Sequence, residues 1–481
     1  MTSNPVKVRI APSPTGYLHV GTARTAIFNY LFAKHNAGEF VVRIEDTDLE
    51  RSKPELIDPI LSALKWLGLE WDGEIVFQSK RSELYADYLQ KFIQTGQAYY
   101  CFCSQEELKA AREKAKAEKK PLMYNRKCLG LSADEVQARI KAGEKPVVRV
   151  KIPDGGTSFD DMVSGRITRQ NEEIEDFIIA RSDGSVTYNF AVVVDDHDMG
   201  ITHVIRGNDH VTNTFKQIIV YEAFGFDLPR FGHVPLILRP DKKKVSKRLG
   251  DKDVNEYQGE GILPEAMVNY LSLLGWSPKT DRDIYTTEEL VTIFNDANFN
   301  ASNAVFDEEK LLAFNQEHIQ KKSDHDLAVM VAPMLVEADL TTKYWLETRW
   351  EYLRSVIHLL KGRAQRVSDI VTRGAYFFSF DYVYDEKAAA KHFSEESAGY
   401  LEELAQRFEA LGQFTTDALE AELSRLAEEK DVKKGKIIHP TRLAVSGGSV
   451  GPGLFDLLAT LGQSIVVERM RKAVDYIRNK S

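Results

Sequence analysis

The sequence predicts an α/β fold: a parallel sheet interrupted by an inserted domain and followed by an all-α C-terminal half. Three observations carry this. Residues 6–11 (VKVRIA) and 39–46 (EFVVRIED) read as apolar strands with a helical pattern between them, a βαβ unit that requires parallel pairing. Residues 99–190 change texture, to a lysine-rich helix over 106–120 and short strands such as PVVRVKI and DFIIARSDG. Beyond about residue 255 the strand signal fades into amphipathic helices, of which LEELAQRFEALG and LEAELSRLAEEK are typical.

The elements follow in order. In the first helix, Ala23, Ala26, Ile27, Tyr30 and Leu31 share one face, and Gly38 stands where a C-cap belongs. PELIDPILSALKWLG and SELYADYLQKFIQTG are helical patterns; TYNFAVVVDDHDMGITHVIRG has the texture of buried strand, and FGHVPLIL supplies another strand. Within the helical half, KKGKIIHPTRLAVSGGSVGPG (433–453) reads as a loop.

A chain of 481 residues exceeds one hydrophobic core, so two to four domains are expected. With 43% hydrophobic and 28% charged residues the composition is that of an ordinary soluble protein, and a net charge of −9 argues against a surface coated in nucleic acid. No apolar run approaches membrane-spanning length, MTSNPVKVRI lacks the pattern of a secretory signal, and three cysteines suit a reducing compartment. A cytoplasmic protein is the expectation.

Two stretches carry the chemistry. APSPTGYLHVGTA (11–23) follows the first strand, where a parallel sheet binds ligands against a helix N-terminus. It is neither a P-loop nor a three-glycine dinucleotide turn. Pro12, Pro14 and Gly16 shape it, Gly21 leaves room for close approach, and His19 can donate to a phosphate oxygen whose charge grows in a transition state. The second, RPDKKKVSKRLGDKD (239–253), sets six basic residues against one aspartate between Arg239 and Leu249. Read singly, the first is equally a capped connecting loop and the second a solvated charge run.

Together, His19-Val20-Gly21-Thr22 and Lys244-Val245-Ser246-Lys247-Arg248 resemble the two signatures of class I aminoacyl-tRNA synthetases. RIAPSPTGYLHVGTARTAIFNYLFA, VRIEDTD, FQSKRSELY, TYNFAVVVDDHDMGITHVIRG and KVSKRLGD are similar to bacterial glutamyl-tRNA synthetases in particular, over the whole chain and most densely over 7–90 and 185–255. The resemblance implies a Rossmann-like class I synthetase catalytic domain with an inserted acceptor-binding domain, followed by an all-α C-terminal anticodon-binding region. The expected divisions are 1–98 and 191–255 for the catalytic halves, 99–190 for the insertion, 256–320 for a stem-contact region and 321–481 for the anticodon-binding region. It also implies glutamate activation by ATP with Mg²⁺, transfer to tRNA(Glu), and a monomer.

For ATP the resemblance implies His19, Gly21, Thr22, Lys244, Ser246, Lys247 and Arg248, with His19 and Lys247 stabilising charge and no protein nucleophile. Glutamate carries two carboxylates and an ammonium, so its pocket needs two cations and an anion. Arg9 and Arg206 end strands on the ligand side, Glu45 can take the ammonium, and Tyr188 and Ser13 add polar contacts. These five are the family's glutamate positions. Asn208 departs from a glutamate common among relatives.

Cys101 and Cys103 lie two apart on an expected strand, facing one way, with Cys128 beyond. Some relatives bind zinc here, with a fourth ligand near Tyr124 or just after the last cysteine; position 130 is Gly, and tyrosine is a poor zinc ligand. The residues favour buried free thiols, with any zinc structural. In LLKGRAQRVSDIVTRG, Arg363, Arg366 and Arg373 fall on one helical face with only Asp369 opposing, a solvated face or, in this family, an anticodon contact. Lys433, Lys434 and Arg442 could add phosphate contacts. A glutaminyl-tRNA synthetase is disfavoured by the helical C-terminal half, a truncated tRNA-modifying relative by its presence, and a non-catalytic RNA-binding scaffold by the intact His19, Lys247, Arg9, Glu45 and Arg206.

Overall fold

The computed structural model describes residues 5–48, 51–119, 123–245 and 252–480. The chain forms two compact units, Met1–Tyr257 with Met267–Glu308, and Gln258–Ala266 with Glu309–Ser481.

Along the first unit run β1 (Lys7–Ile10), α1 (Val20–His35), β2 (Glu39–Ile44), α2 (Ile57–Trp66), β3 (Val76–Phe77) and α3 (Ser82–Gln94). The insertion contributes β4 (Ala98–Cys101), α4 (Gln105–Ala117), α5 (Ala133–Lys141), β5 (Val147–Val150), β6 (Gly156–Asp161), β7 (Gly165–Gln170) and β8 (Ile178–Ala180). Then come α6 (Tyr188–Asp198), β9 (His203–Gly207), α7 (Val211–Phe224), β10 (Arg230–Val234), β11 (Ile237–Leu238) and β12 (Ala304–Val305).

Strands β1, β2 and β3 pair in parallel, with Arg9 opposite Val41 and Arg43 opposite Val76. Strands β9 and β10 form a second parallel pair. The Thr202 N–H donates to Lys7 O (2.9 Å) and the Lys7 N–H to Thr202 Oγ1 (2.8 Å), so β9 runs beside β1. The spatial order β3-β2-β1-β9-β10 puts the carboxyl ends of β1 and β9 side by side, the place where open parallel sheets bind ligands. The insertion is antiparallel, with β4-β5-β8 in one sheet and a β6-β7 hairpin.

In the first unit three sequence expectations need correction. Helix α1 is buried on most sides and not along one face: Arg24, Phe28, Asn29 and Phe32 are buried with Ala23, Ala26, Ile27 and Leu31. Its C-terminal left-handed residue is Ala37 (φ 50°), not Gly38. The Gly38 N–H reaches back to Ala33 O and Ala37 N–H to Lys34 O, a Schellman closure. Gly38 is needed for approach, because a Cβ there would lie 2.2 Å from Val6 O. Residues 188–198 form helix α6, not strand: an apolar run buried on nearly all sides has no period to separate the two.

In the second unit, helices including Trp350–Leu360, Val367–Gly374, Glu395–Glu409, Thr416–Glu429, Leu454–Leu461 and Gln463–Lys480 share one core around Leu401, Phe408, Leu457 and Met470. The segment read as a loop is largely helix, Gly435–Ser446, ended by Gly447 in the left-handed region (φ 74°). Its Pro440 sits within the helix and is buried. Among the described residues no helix is long and apolar enough to cross a membrane.

Candidate active site

The loop after β1 delivers His19 to the N-terminus of α1. His19 is the N-cap in extended conformation (φ −85°, ψ 160°), and its Nδ1 accepts the N–H groups of Gly21 (3.1 Å) and Thr22 (3.2 Å). Nδ1 therefore carries no proton, and the Nε2–H is the donor, set 3.1 Å from Thr22 Oγ1. Burial, and then the nearby Lys244 charge, hold the imidazole below its ordinary pKa, so the ring is neutral. A Cβ at Gly21 would meet that ring at 3.0 Å; the glycine lets the imidazole fold back over the helix end.

The residues bracketing the lysine-rich segment converge on the same helix end. Lys244 pairs with Leu238 across a β-bridge, and its Nζ lies 2.7 Å from Asp209. On the far side Asp253 bridges to His19, and the Val254 N–H donates to Leu18 O (3.0 Å). Ser246, Lys247 and Arg248 fall outside the described residues.

Beside this lies a buried charge network. Arg9, 4% exposed, donates through Nε (3.1 Å) and Nη2 (3.4 Å) to the two oxygens of Asp196 on α6. Arg43, fully buried at the end of β2, donates to Asp196 Oδ1 (2.6 Å) and to Glu45 Oε1 (3.1 Å). Burial works to raise the Asp196 carboxyl, but the Arg43 and Arg9 guanidinium groups outweigh it and hold it below the usual carboxylate range. Glu45 comes out raised, because burial exceeds the help of Arg43 and Arg9. Asp195 takes Gln78, Arg81 and Tyr85, and its Oδ2 lies 3.6 Å from Arg43 Nε.

Arg206, at the end of β9 and 6% exposed, differs. It donates to neutral acceptors only: Nε to His233 Nε2 (3.3 Å), and Nη2 to Thr214 Oγ1 and Gln217 Oε1 (2.7 Å each). Its Nη1 is buried without a hydrogen-bond partner. Burial accordingly lowers its pKa, a mark of a cation lacking a counter-charge. Tyr188, first residue of α6, places its hydroxyl 3.0 Å from His210 Nδ1; burial and then Glu45 push the phenol up. His210 is held at about 4 by burial and by Arg206.

The structure thus brings Arg9, Glu45, Tyr188 and Arg206 within electrostatic reach of one another. Ser13 is exposed on the loop whose Pro12 O accepts the Glu45 N–H (3.1 Å). Asn208 opens the short turn Asn208–His210 that carries Asp209 and His210. Sequence reasoning missed Arg43, Asp195, Asp196 and His233. The signal available was two adjacent aspartates inside an apolar run, a place where charges must be paired.

In the insertion, β4 ends at Cys101, so Cys103 lies beyond the expected strand, yet the three sulfurs fall within 4.8 Å of one another. The Tyr124 hydroxyl sits 3.3 Å from Cys101 Sγ and 3.6 Å from Cys103 Sγ, and Cys103 Sγ is 3.7 Å from Cys128 Sγ. The three sulfurs supply three ligands at the spacing of a tetrahedral zinc site, while burial and the neighbouring thiols push the Tyr124 phenol up, which makes it a poor fourth.

In the second unit, the expected single helical face of arginines is broken. Arg363 ends a one-turn helix (Lys361–Arg363), Arg366 is the N-cap of Val367–Gly374, and Arg373 lies in that helix's last turn. Nor is Asp369 the only opposing charge, since Arg366 Nε is 3.4 Å from Glu260. Arg363 and Arg373 still meet: Arg373 donates to Arg363 O (2.8 Å), and Arg363 to Gly451 O. Arg442 donates to Pro452 O (2.7 Å), while Lys433 and Lys434 are exposed.

A parallel sheet with His-Val-Gly-Thr capping the helix after its first strand, and a lysine segment whose flanks meet that cap, is the arrangement of a synthetase that activates a carboxylate with a nucleotide. Residues 5–313 match the family described as tRNA synthetases class I (E and Q), catalytic domain, and residues 326–474 match the anticodon binding domain. The chain belongs to this glutamate and glutamine branch of the class I tRNA synthetases. It is 41% identical to glutamate–tRNA ligase 2 of Thermoanaerobacter pseudethanolicus, over 98% of each chain. It is likewise 41% identical to glutamate–tRNA ligase of Moorella thermoacetica, over 99% of each. The crystal structure of a glutamate tRNA ligase from Elizabethkingia meningosepticum in complex with its amino acid is similar at a TM-score of 0.90 and 33% identity, covering 98% of this chain and 100% of that one.

Proposed function

We propose that this chain activates L-glutamate with ATP and transfers it to the 3′ end of tRNA(Glu), giving glutamyl-tRNA, AMP and diphosphate. The observation that carries the reading is Arg206, a buried guanidinium facing Arg9 and Glu45 with neutral partners and one nitrogen unpaired. Such a group fits an anionic ligand that arrives from solution.

Arg206 and Arg9 take the two carboxylates of glutamate, Glu45 the ammonium, and Tyr188 and Ser13 add hydroxyl contacts. ATP enters as its magnesium complex over the N-terminus of α1. The glutamate α-carboxylate oxygen attacks the α-phosphorus in line, the bond to the bridging oxygen breaks, and diphosphate leaves. A terminal ribose hydroxyl of the tRNA then attacks the acyl carbon, and AMP departs. His19, neutral with Nε2–H as its donor, turns from Thr22 toward phosphate oxygens as their charge grows; Gly21 and Thr22 frame that site. Lys244, Ser246, Lys247 and Arg248 hold the leaving diphosphate. Glutamine is rejected because a neutral amide leaves a buried arginine without a counter-charge.

Cys101, Cys103 and Cys128 would hold a structural zinc, cross-linking the end of β4 to the turn at residue 128 without entering the reaction. Arg363 and Arg366 contact the tRNA anticodon, and the enzyme acts in the cytoplasm with the rest of translation.

Diphosphate exchange and tRNA charging with glutamate and with glutamine, on purified tRNA(Glu) and tRNA(Gln), test the proposal. Glutamate-dependent exchange and charging of tRNA(Glu) are expected; equal or better use of glutamine overturns it. Lys247→Ala should slow activation about 10²–10³-fold, the roughly 2.7–4 kcal/mol lost with one transition-state contact, and change tRNA binding far less.

A further inference from the structure

We propose that Asp161 and His233 are positioning residues for the glutamate pocket, fixing the direction in which Arg206 presents its unpaired nitrogen. This rests on the assignment of Arg206 to a substrate carboxylate.

The chain of bonds leaves one arrangement of protons. Arg206 can only donate, so His233 Nε2, 3.3 Å from Arg206 Nε, must be an acceptor. The Thr214 hydroxyl lies 2.8 Å from the same nitrogen and itself accepts from Arg206 Nη2. The proton of His233 therefore sits on Nδ1, donated to Asp161 Oδ2 at 2.6 Å. That oxygen also takes the His233 N–H (3.0 Å), while Oδ1 takes the N–H groups of Val163 (3.0 Å) and Ser164 (2.9 Å). Every lone pair that orients the carboxylate is thus engaged, and side chains of Asp161 and His233 are completely buried.

Asp161 belongs to the inserted hairpin, His233 to β10 and Arg206 to β9. A carboxylate from the insertion thereby sets the tautomer of a histidine, which sets the rotamer of the arginine. The imidazole between them has a physical purpose. A carboxylate bonded to Arg206 itself, as Asp196 is to Arg9, would offset part of the charge that it offers the substrate. The neutral ring passes on orientation and leaves the charge unspent.

Asparagine and glutamine at 233 separate orientation from packing, since an asparagine amide reaches the Nδ1 position and a glutamine amide the Nε2 position. Aminoacylation by the full chain at saturating tRNA gives the glutamate and ATP KM values for Arg206→Ala, Asp161→Asn, His233→Asn and His233→Gln. In Asp161→Asn the amide NH₂ faces Nδ1, because Oδ1 stays with the Val163 and Ser164 N–H groups. The ring proton then moves to Nε2 and opposes Arg206. We expect His233→Asn and Asp161→Asn to raise the glutamate KM roughly tenfold, as for one lost hydrogen bond to a charged group. ATP KM and kcat should move less than about twofold, and His233→Gln should recover most of the loss. Equal glutamate KM values in the Asn and Gln variants, whether raised or unchanged, overturn the positioning role while leaving the pocket assignment standing. An unchanged glutamate KM in Arg206→Ala overturns the assignment itself.

Discussion

Arg9 and Arg206 end adjacent parallel strands, and both are buried to within a few per cent, yet their surroundings are opposite. Arg9 is bound through two nitrogens to Asp196, which Arg43 also holds. Arg206 meets a histidine, a threonine and a glutamine. One charge is compensated within the protein, and the other awaits compensation from outside. Buried arginines at a strand end are thus of two kinds, one shared with an internal carboxylate and one held by neutral groups alone.

Substitution should separate the two. Arg206→Ala is expected to cut glutamate kcat/KM by about 10²–10³, in line with the roughly 2–5 kcal/mol lost when one side of a buried charge pair is truncated. It should leave the melting temperature unchanged or raised, since an uncompensated buried charge is removed. Arg9→Ala should lower glutamate kcat/KM and also the melting temperature, because Asp196 loses one of its two guanidinium partners. Equal thermal losses in the two variants would erase the distinction.

A smaller effect concerns His210, which bonds to Tyr188 and feels the charge of Arg206. Its folded pKa of about 4 is below the ordinary 6.5, so between those values the unfolded chain binds a proton that the folded one refuses. Stability from this group is complete above pH 6.5 and falls as pH drops toward 4. Asp195 and Glu45, raised by burial, oppose the trend at the acid end, so the difference between variants is the measure. His210→Gln should reduce the loss of urea midpoint between pH 7 and pH 5; an unaltered loss assigns the dependence to other groups.

The remaining predictions extend the comparison beyond the pocket. Purified protein should carry close to one zinc per chain, and Cys128→Ala should abolish it; full retention in that variant rules out the proposed ligands. Arg363 is held by the Gly451 oxygen and Arg366 by Glu260, and both are more exposed than Arg206. Their double alanine variant should flatten the salt dependence of tRNA KM by up to about two logarithmic units per decade of salt if both reach phosphates. If they read bases, the slope stays and discrimination between glutamate and glutamine tRNAs loosens; if neither changes, the cluster is solvated surface.

Much of this was legible in the sequence. The strands β1, β2, β9 and β10 were marked by apolar runs, and the strand-end rule put Arg9, Glu45 and Arg206 on one side of the sheet. What failed was periodicity. Val192, Val193 and Val194 look like strand because α6 is buried nearly all round, and that misreading hid Asp195 and Asp196 as facing charges on one helix. Pro440 likewise concealed a helix, although it is tolerated there with a buried ring. The unpaired nitrogen of Arg206 depends on partners at 214, 217 and 233, a relation no local pattern contains.

The pairing of Lys7 with Thr202 joins residues 195 positions apart, and it has a consequence for synthesis. At roughly 5–20 residues per second, the nascent chain exposes Arg9, Arg43 and Glu45 on the order of ten seconds or more before Asp196 and Arg206 emerge. During that interval two arginines wait beside one glutamate, and the sheet has an open edge at β1. Within the insertion the local β6-β7 hairpin can pair before then, but its Phe159 packs on Phe215 and Phe231, which emerge later. Fragments ending before residue 196 should therefore aggregate on release, while those reaching residue 234 can close the sheet.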